Sequence, residues 1–271
     1  MATVTAPNAA GAKKQGGFDF SILVIPIAFV ISLIFYKVVC GSPARFDAKG
    51  DPKPGDFLAL IYKGGFIVPL LFTMLLTVIT FTVERLLTLV KAKGTGSVEV
   101  FLQNIKTSLA KNDINGALAE CAKQKGSVAN VVQAGLHTYA EMAKDTSLAT
   151  EQKVVNITKD IEEATALEMP MLQKNLPVIA TIASVGTLVA LLGTVLGMIR
   201  SFAALASSGT PDPSALSAGI SEALVNTAIG IGTSALAIII YSYLTNYIDG
   251  LTYAIDEIGF SIAQSFQGHN K

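Results

Sequence analysis

The sequence predicts an all-α protein: a polytopic membrane helix bundle whose long helices extend into the cytoplasm. Two observations predict this class. Hydrophobic residues make up 51% of the 271 residues and charged residues only 15%, whereas soluble domains carry about 25% charged residues. Moreover, the charged residues leave four gaps that approach or exceed the roughly 20 apolar residues of a bilayer-spanning helix.

The charge balance and the rarer residue types argue against other classes. Lys+Arg and Asp+Glu both number 20, which leaves no basic footprint for nucleic acid. Two cysteines are too few for a disulfide scaffold. The histidines and cysteines lack the spacing of metal ligands, and no nucleophile stands with a base and an acid. We therefore expect no metal, no cofactor and no enzymatic activity.

The first gap has two interpretations. It begins with the run FSILVIPIAFV after Asp19 and ends at Lys37. It is either an additional membrane helix that is retained or the core of a signal peptide. Its length, and the lack of a clean small-x-small cleavage site after it, favour the retained helix. The other three gaps predict further spans.

These gaps divide the chain into spans and connections, and lysine sets their orientation. Lysine is concentrated in the longest connection and absent from the last one, so the former is expected inside and the latter outside. The C-terminus is then cytoplasmic. The predicted order is an N-terminal tail (1–17), an additional transmembrane helix (18–40), an extracytoplasmic linker (41–63), a transmembrane helix (64–90), a helical cytoplasmic domain (91–176), a transmembrane helix (177–201), an extracytoplasmic loop (202–218), a transmembrane helix (219–248) and a cytoplasmic tail (249–271).

Local patterns predict helices within the cytoplasmic domain. Asn112 or Asp113 is a suitable N-cap for a helix that stops at Gly126. An amphipathic run follows and leads directly into the third span, which predicts one long helix that Pro170 and Pro177 are placed to kink.

The last two spans are rich in small and polar residues. Gly193 and Gly197 form a GxxxG pattern, which favours close helix packing, as does Gly230 in the next span. A helical projection of the fourth span places small and polar side chains on one face, which predicts contact with protein or water rather than lipid. Its possible pore-supporting members are Asn226, Thr233 and Ser234.

Three further residues stand out in these spans. Thr194 and Thr227 fall at similar depth, because each lies about 10–12 Å from the outer end of its span at 1.5 Å per residue. They either form one polar level or each bond only their own backbone, as isolated membrane threonines do. Glu222 is either a functional acid or a cap at the start of the fourth span.

Two long runs and one short run carry a resemblance to a known family. They are LLGTVLGMIRSF (191–202), GISEALVNTAIGIGTSALAIIIY (219–241) and ERLLTL (84–89). The chain resembles the MotA/TolQ/ExbB proton channel family over roughly residues 60–250, and it is most similar to the ExbB/TolQ branch. The two long runs, in this order and at this spacing, are specific, whereas the short one is weak.

The resemblance implies a homo-oligomeric ring, a pentamer in this branch, in the bacterial inner membrane. The ring surrounds the helices of a small single-span partner similar to ExbD or TolR, which carries one membrane Asp. Proton flow then drives relative motion of ring and partner, classically through a TonB-like protein. Thr194 matches the GTV threonine of the family, Thr227 the TAIG threonine and Glu222 the acid of the EAL segment.

The sequence also departs from the family in three places. The first span is additional, Arg200 stands where an uncharged polar residue is common, and Asn226 stands where alanine is common. Arg200 either contacts lipid phosphates, fixes an interface or is simply an interfacial anchor, and we favour the anchor. The leading hypothesis is an ExbB-like proton-channel subunit that serves TonB-dependent transport. The alternatives are a TolQ-like or other envelope-motor subunit and, in a different class, a structural oligomeric membrane scaffold.

Overall fold

A computed structural model describes residues 20–48, 50–207 and 213–270. The predicted N-terminal tail and part of the predicted 202–218 loop lie outside these ranges. The α-helices are α1 (Phe20–Ile34), α2 (Phe57–Tyr62), α3 (Ile67–Lys93), α4 (Val98–Ala110), α5 (Ile114–Gln124), α6 (Gly126–Lys144), α7 (Thr150–Gln173), α8 (Leu176–Ser207) and α9 (Pro213–His269). A π-helical segment, Phe35–Cys40, extends α1. Within the described residues, four helices are long and apolar enough to cross a membrane, namely the extended α1, α3, α8 and α9. The protein is therefore a multi-pass membrane protein.

Helix α9 is longer at both ends than the predicted span of residues 219–248. It runs for 57 residues, which is about 85 Å at 1.5 Å per residue. Its second half, predicted as a tail, is helical almost to the end of the chain and packs with α4–α7 around a shared core. The α9 side chains buried there are Leu251, Ala254, Ile255, Ile258, Ile262 and Phe266. One element therefore connects the membrane bundle to the helical domain formed by α4–α7.

The predicted start of α5 is confirmed. Asp113 is its N-cap, and its carboxylate accepts a hydrogen bond from the backbone N–H of Gly116 at 2.8 Å. The helix ends at Gln124, ahead of the predicted stop, because Lys125 adopts a left-handed backbone with φ 57° and Gly126 already begins α6.

The prediction of one continuous helix into the third span is wrong at a single point. Helix α7 ends at Gln173 and α8 begins at Leu176, with Asn175 in the left-handed region at φ 64°. Pro170 lies inside α7. Pro177 lies in the first turn of α8, where its missing N–H is not needed. The break therefore precedes the second proline.

Two neighbouring residues of α3, Glu84 and Arg85, form hydrogen bonds that stabilise the chain at this break. Arg85 is only 2% exposed, and its guanidinium donates to the carbonyl of Met171 at 2.8 Å and pairs with Glu84. The amide of Asn175 donates to the Glu84 carboxylate at 2.9 Å. The last carbonyls of a helix lack partners within it, so Arg85 satisfies one of those left at the end of α7.

The additional N-terminal helix is an integral part of the bundle. It packs on α3, and the Ser32 hydroxyl donates to the carbonyl of Pro69 at 2.5 Å. Residues 41–66 connect α1 to α3, and their described part, 41–48 and 50–66, contacts the neighbouring end of α9. We call them the α1–α3 connection. Tyr36, in the π-helical extension of α1, stacks on Tyr62 of this connection, with ring centroids 4.7 Å apart.

Candidate functional site

The candidate site is centred on a pair of threonines from two adjacent helices. Helices α8 and α9 form the most extensive helix contact of the described chain. Thr194 of α8 and Thr227 of α9 lie at one level, and their hydroxyl groups are hydrogen-bonded to each other. Thr194 Oγ1 also lies 3.1 Å from the carbonyl of Ala190, and Thr227 Oγ1 lies 3.0 Å from that of Ala223. Two hydroxyl hydrogens cannot supply all three of these bonds, so one threonine donates to the other while the second donates to its own backbone carbonyl. The pair therefore combines the shared polar level with bonding to the backbone.

Both threonine side chains are only partly buried, so one side of the pair is open. A hydroxyl donates one hydrogen bond and accepts others. With each hydroxyl within reach of a backbone carbonyl, the lone pairs on the open side remain accessible. The pair can therefore accept a hydrogen bond from a group that approaches from outside the subunit, and it can donate one when a hydroxyl gives up its bond within the subunit.

Small residues bring the two helices into contact at this level. A Cβ on Gly193 would lie 2.8 Å from the Cβ of Asn226, and one on Gly230 would lie 2.2 Å from the Cβ of Ala190. A Cβ on Gly197 would lie 2.9 Å from the carbonyl oxygen of Gly219. These distances are shorter than side-chain carbons tolerate, so glycine at these positions sets the separation of α8 and α9.

The three polar residues of the fourth span that were expected to support the pore are buried against the rest of the same chain. Asn226, Thr233 and Ser234 are each at most 3% exposed. Thr233 donates to its own backbone, at Ile229, whereas the Asn226 amide and the Ser234 hydroxyl have no hydrogen-bond partner among the described residues. The exposed face of α9 carries large aliphatic side chains, namely Leu224, Ile231, Ile238 and Ile239. The polar face predicted from the sequence is thus directed to protein.

Glu222 does not cap its helix, because α9 begins at Pro213, more than two turns earlier. Its carboxylate is largely buried and forms an ion pair with Arg200 of α8 at 2.5 Å. Gly65, in the α1–α3 connection, has φ 73° and lies so close that a Cβ there would be 2.5 Å from the carboxylate. The Arg200 guanidinium lies 5.7 Å from the centroid of the Phe66 ring.

Sequence reasoning missed this partnership and treated Arg200 as an interfacial anchor. A signal was present, because antiparallel neighbouring helices place the end of one span beside the start of the next. An Arg that ends one span and a Glu that begins the next span are then opposite charges at the same level.

Within the described residues there is no group of three or more His, Cys, Asp or Glu side chains that could hold a metal ion.

Comparison with known proteins shows similarity to proton channel subunits. The model of the MotA/TolQ/ExbB proton channel family matches residues 123–257. The chain is 27% identical over 173 residues to the Tol-Pal system protein TolQ of Pseudomonas aeruginosa, an alignment that covers 58% of this chain and 75% of that one. It is 24% identical over 195 residues to a putative ExbB homologue of Methanothermobacter thermautotrophicus, covering 72% and 65% of the two chains. It is 42% identical over 73 residues to the putative ExbB-like protein 3 of Synechocystis, covering 26% and 35%.

Proposed function

The chain belongs to the MotA/TolQ/ExbB proton channel family, and to its ExbB/TolQ branch. We therefore propose that it is the channel-forming subunit of a bacterial inner-membrane motor, which couples the proton gradient to TonB-dependent outer-membrane transport. The observation that carries this proposal is the hydrogen-bonded pair of Thr194 and Thr227 on facing membrane helices. The open side of the pair faces a central pore in a homo-oligomeric ring, which we propose is a pentamer. In this orientation the α1–α3 connection lies outside, and the helical domain and C-terminus lie in the cytoplasm.

The titrating group of the channel comes from a second protein in this proposal. Threonine does not titrate in a useful range. The predicted spans 64–90, 177–201 and 219–248 contain no Asp, and the only Asp of the 18–40 span, Asp19, precedes its apolar run. The partner is an ExbD-like or TolR-like protein with one membrane span and one Asp in it. Each threonine hydroxyl can hydrogen-bond that carboxyl group in either protonation state. Each proton that crosses 100 mV releases about 2.3 kcal/mol, which is available for motion of the partner against a TonB-like protein.

Proton flux through the reconstituted complex tests this role. The complex of this chain with its co-purifying partner is placed in vesicles with a pH-sensitive dye inside, and a membrane potential is imposed. We expect Thr194→Val with Thr227→Val to preserve assembly and abolish flux. Thr181→Val is the matched control, since it makes the same change on α8 at an exposed residue that bonds only the carbonyl of Pro177. Normal flux in the double variant would overturn the assigned role.

A Tol-type motor is the second candidate. The alignment with the P. aeruginosa TolQ protein, which covers three quarters of that chain, favours it. Purification of this chain from its native membranes in mild detergent, followed by mass spectrometry, separates the candidates. A TonB-like companion supports the transport motor, whereas Tol-type companions support the alternative. Recovery of a homo-oligomer alone in several detergents would instead support a structural scaffold.

A further inference from the structure

A cavity lies between α8 and α9 at the end of the bundle that adjoins the helical domain. Its volume is about 410 Å³, which is room for several waters at about 30 Å³ each. It lies beside the α7–α8 break, because Gln173 and Leu176, on either side of the break, both line it. The lining residues are Gln173, Leu176, Pro177, Ala180, Tyr241, Thr245, Ile248 and Asp249.

The cavity lies on the same side of the helix pair as the two threonines. Thr245 follows Thr227 by about five full turns at 3.6 residues per turn, and Leu176 precedes Thr194 by the same interval. Residues separated by whole turns share a helix face. The cavity is therefore a continuation of the face that carries the threonine pair, about 27 Å further along the bundle at 1.5 Å per residue.

The polar groups in the cavity are arranged along one edge of α9. Tyr241, Thr245 and Asp249 are spaced by four residues, so each lies about one turn beyond the previous one. The Thr245 hydroxyl is buried and has no hydrogen-bond partner among the described residues. Buried hydroxyls are normally paired with protein or water, and the cavity has room for the water. Among the described residues that line the cavity, Asp249 alone is charged, and it is exposed.

We propose that Asp249 is the group that releases protons from this channel to the cytoplasm. Water in the cavity, hydrogen-bonded to Tyr241 and Thr245, delivers a proton to the Asp249 carboxylate. An O–H bond of the protonated water chain breaks as the carboxyl O–H bond forms. The carboxyl group then gives its proton to bulk water and returns to the carboxylate. This inference rests on the proposed channel function and on the predicted orientation of the chain.

The test uses the complete complex in proteoliposomes, with protons driven through it towards its cytoplasmic face. We expect Asp249→Asn to lower the flux about tenfold, less than the roughly 100-fold of a positioned acid–base group, because water still reaches the cavity. Asp249→Glu restores the flux. A high concentration of an impermeant buffer at the cytoplasmic face also restores flux in Asp249→Asn, because the buffer takes over proton release. Asp256→Asn, at an exposed acid two turns further along α9, is the control and leaves flux unchanged.

The other outcomes overturn the inference in distinguishable ways. Wild-type flux in Asp249→Asn, with flux abolished by the threonine variants, removes the role of Asp249 and leaves the channel function in place. If Asp249→Asn loses proton flux, and neither the Asp249→Glu variant nor the impermeant buffer restores it, the role of Asp249 is structural. Loss of the partner from Asp249→Asn during purification identifies the cavity as a docking site. Normal flux in both the Asp249 and the threonine variants overturns the channel function as well.

Discussion

The guanidinium of Arg200 on α8 and the carboxylate of Glu222 on α9 form an ion pair at 2.5 Å in which the two partners are unequally buried. The Arg200 side chain is 51% exposed and the Glu222 side chain only 12%. Gly65 covers the carboxylate, and its lack of a side chain is what permits this approach. The pair therefore fixes the ends of α8 and α9 against each other and against the α1–α3 connection.

This asymmetry predicts different effects for the two neutral variants. Arg200→Gln leaves a largely buried carboxylate without its cation, and we expect a loss of about 1–2 kcal/mol in unfolding free energy. This is less than the 3–5 kcal/mol of a fully buried pair, because water reaches the Arg200 side. Glu222→Gln leaves an arginine that can turn to solvent, so its cost is smaller. Thermal unfolding in mild detergent measures both.

The double variant is the control for this comparison. Arg200→Gln combined with Glu222→Gln has no uncompensated charge, so it should be more stable than Arg200→Gln alone. Equal losses in both single variants, with additive loss in the double variant, would show that the two side chains act independently.

Two glycines two residues apart on α9 provide a matched test of helix packing. A Cβ on Gly230 would meet the Cβ of Ala190 at 2.2 Å, whereas one on Gly232 has nothing within 4 Å. We expect Gly230→Ala to destabilise the bundle by about 1–3 kcal/mol through overpacking. Gly232→Ala should be neutral or slightly stabilising, because alanine is the better helix former. Thermal unfolding measures the stability of both variants. Equal stability of Gly230→Ala and Gly232→Ala would contradict the close packing at Gly230.

Arg85 is predicted to hold the α7–α8 break through the shape of its side chain as well as its charge. Its planar fork reaches both Glu84 and the carbonyl of Met171. A lysine keeps the charge but has no planar fork. We therefore expect Arg85→Lys to cost roughly 1–3 kcal/mol, the range for an unsatisfied buried polar group, and to increase hydrogen exchange near the end of α7. If hydrogen exchange near the end of α7 increases in Arg85→Met but not in Arg85→Lys, the charge of Arg85 alone stabilises the break.

The four apolar helices, the N-cap of α5 and the shared level of the two threonines were all predictable from the sequence, because each follows from local spacing. The ion pair between Arg200 and Glu222 was not predicted, because it depends on which helices are neighbours. The break at Asn175 was not predicted, for a similar reason. Proline marks where a helix is weakened, but Arg85 and Glu84, distant in sequence, hold the actual end of α7. The length of α9 was missed because charge gaps show where a span ends but not where its helix does.

The interactions of the Asp56 carboxylate should make the local stability of the α1–α3 connection depend on pH. Its carboxylate accepts hydrogen bonds from the backbone N–H groups of Ala59 and Leu58, both at 3.1 Å, and pairs with Arg45 at 3.0 Å. The hydrogen bond from Ala59 is the largest of the interactions that hold the pKa of Asp56 below its usual value. Because its pKa is lower when folded, the stabilisation is present above the unfolded pKa of about 3.9 and is lost as pH falls through the folded pKa.

Hydrogen exchange of the α2 amides measures this loss. After correction for intrinsic exchange rates, protection of residues 57–62 should fall with decreasing pH below about 4 in the wild-type chain. Asp56→Asn retains an N-cap, because asparagine caps about as well as aspartate, but it cannot titrate and does not pair with Arg45. Its protection should be lower at neutral pH and flat through the acidic range. An acid-dependent loss of the same size in Asp56→Asn would assign the pH sensitivity to a different group.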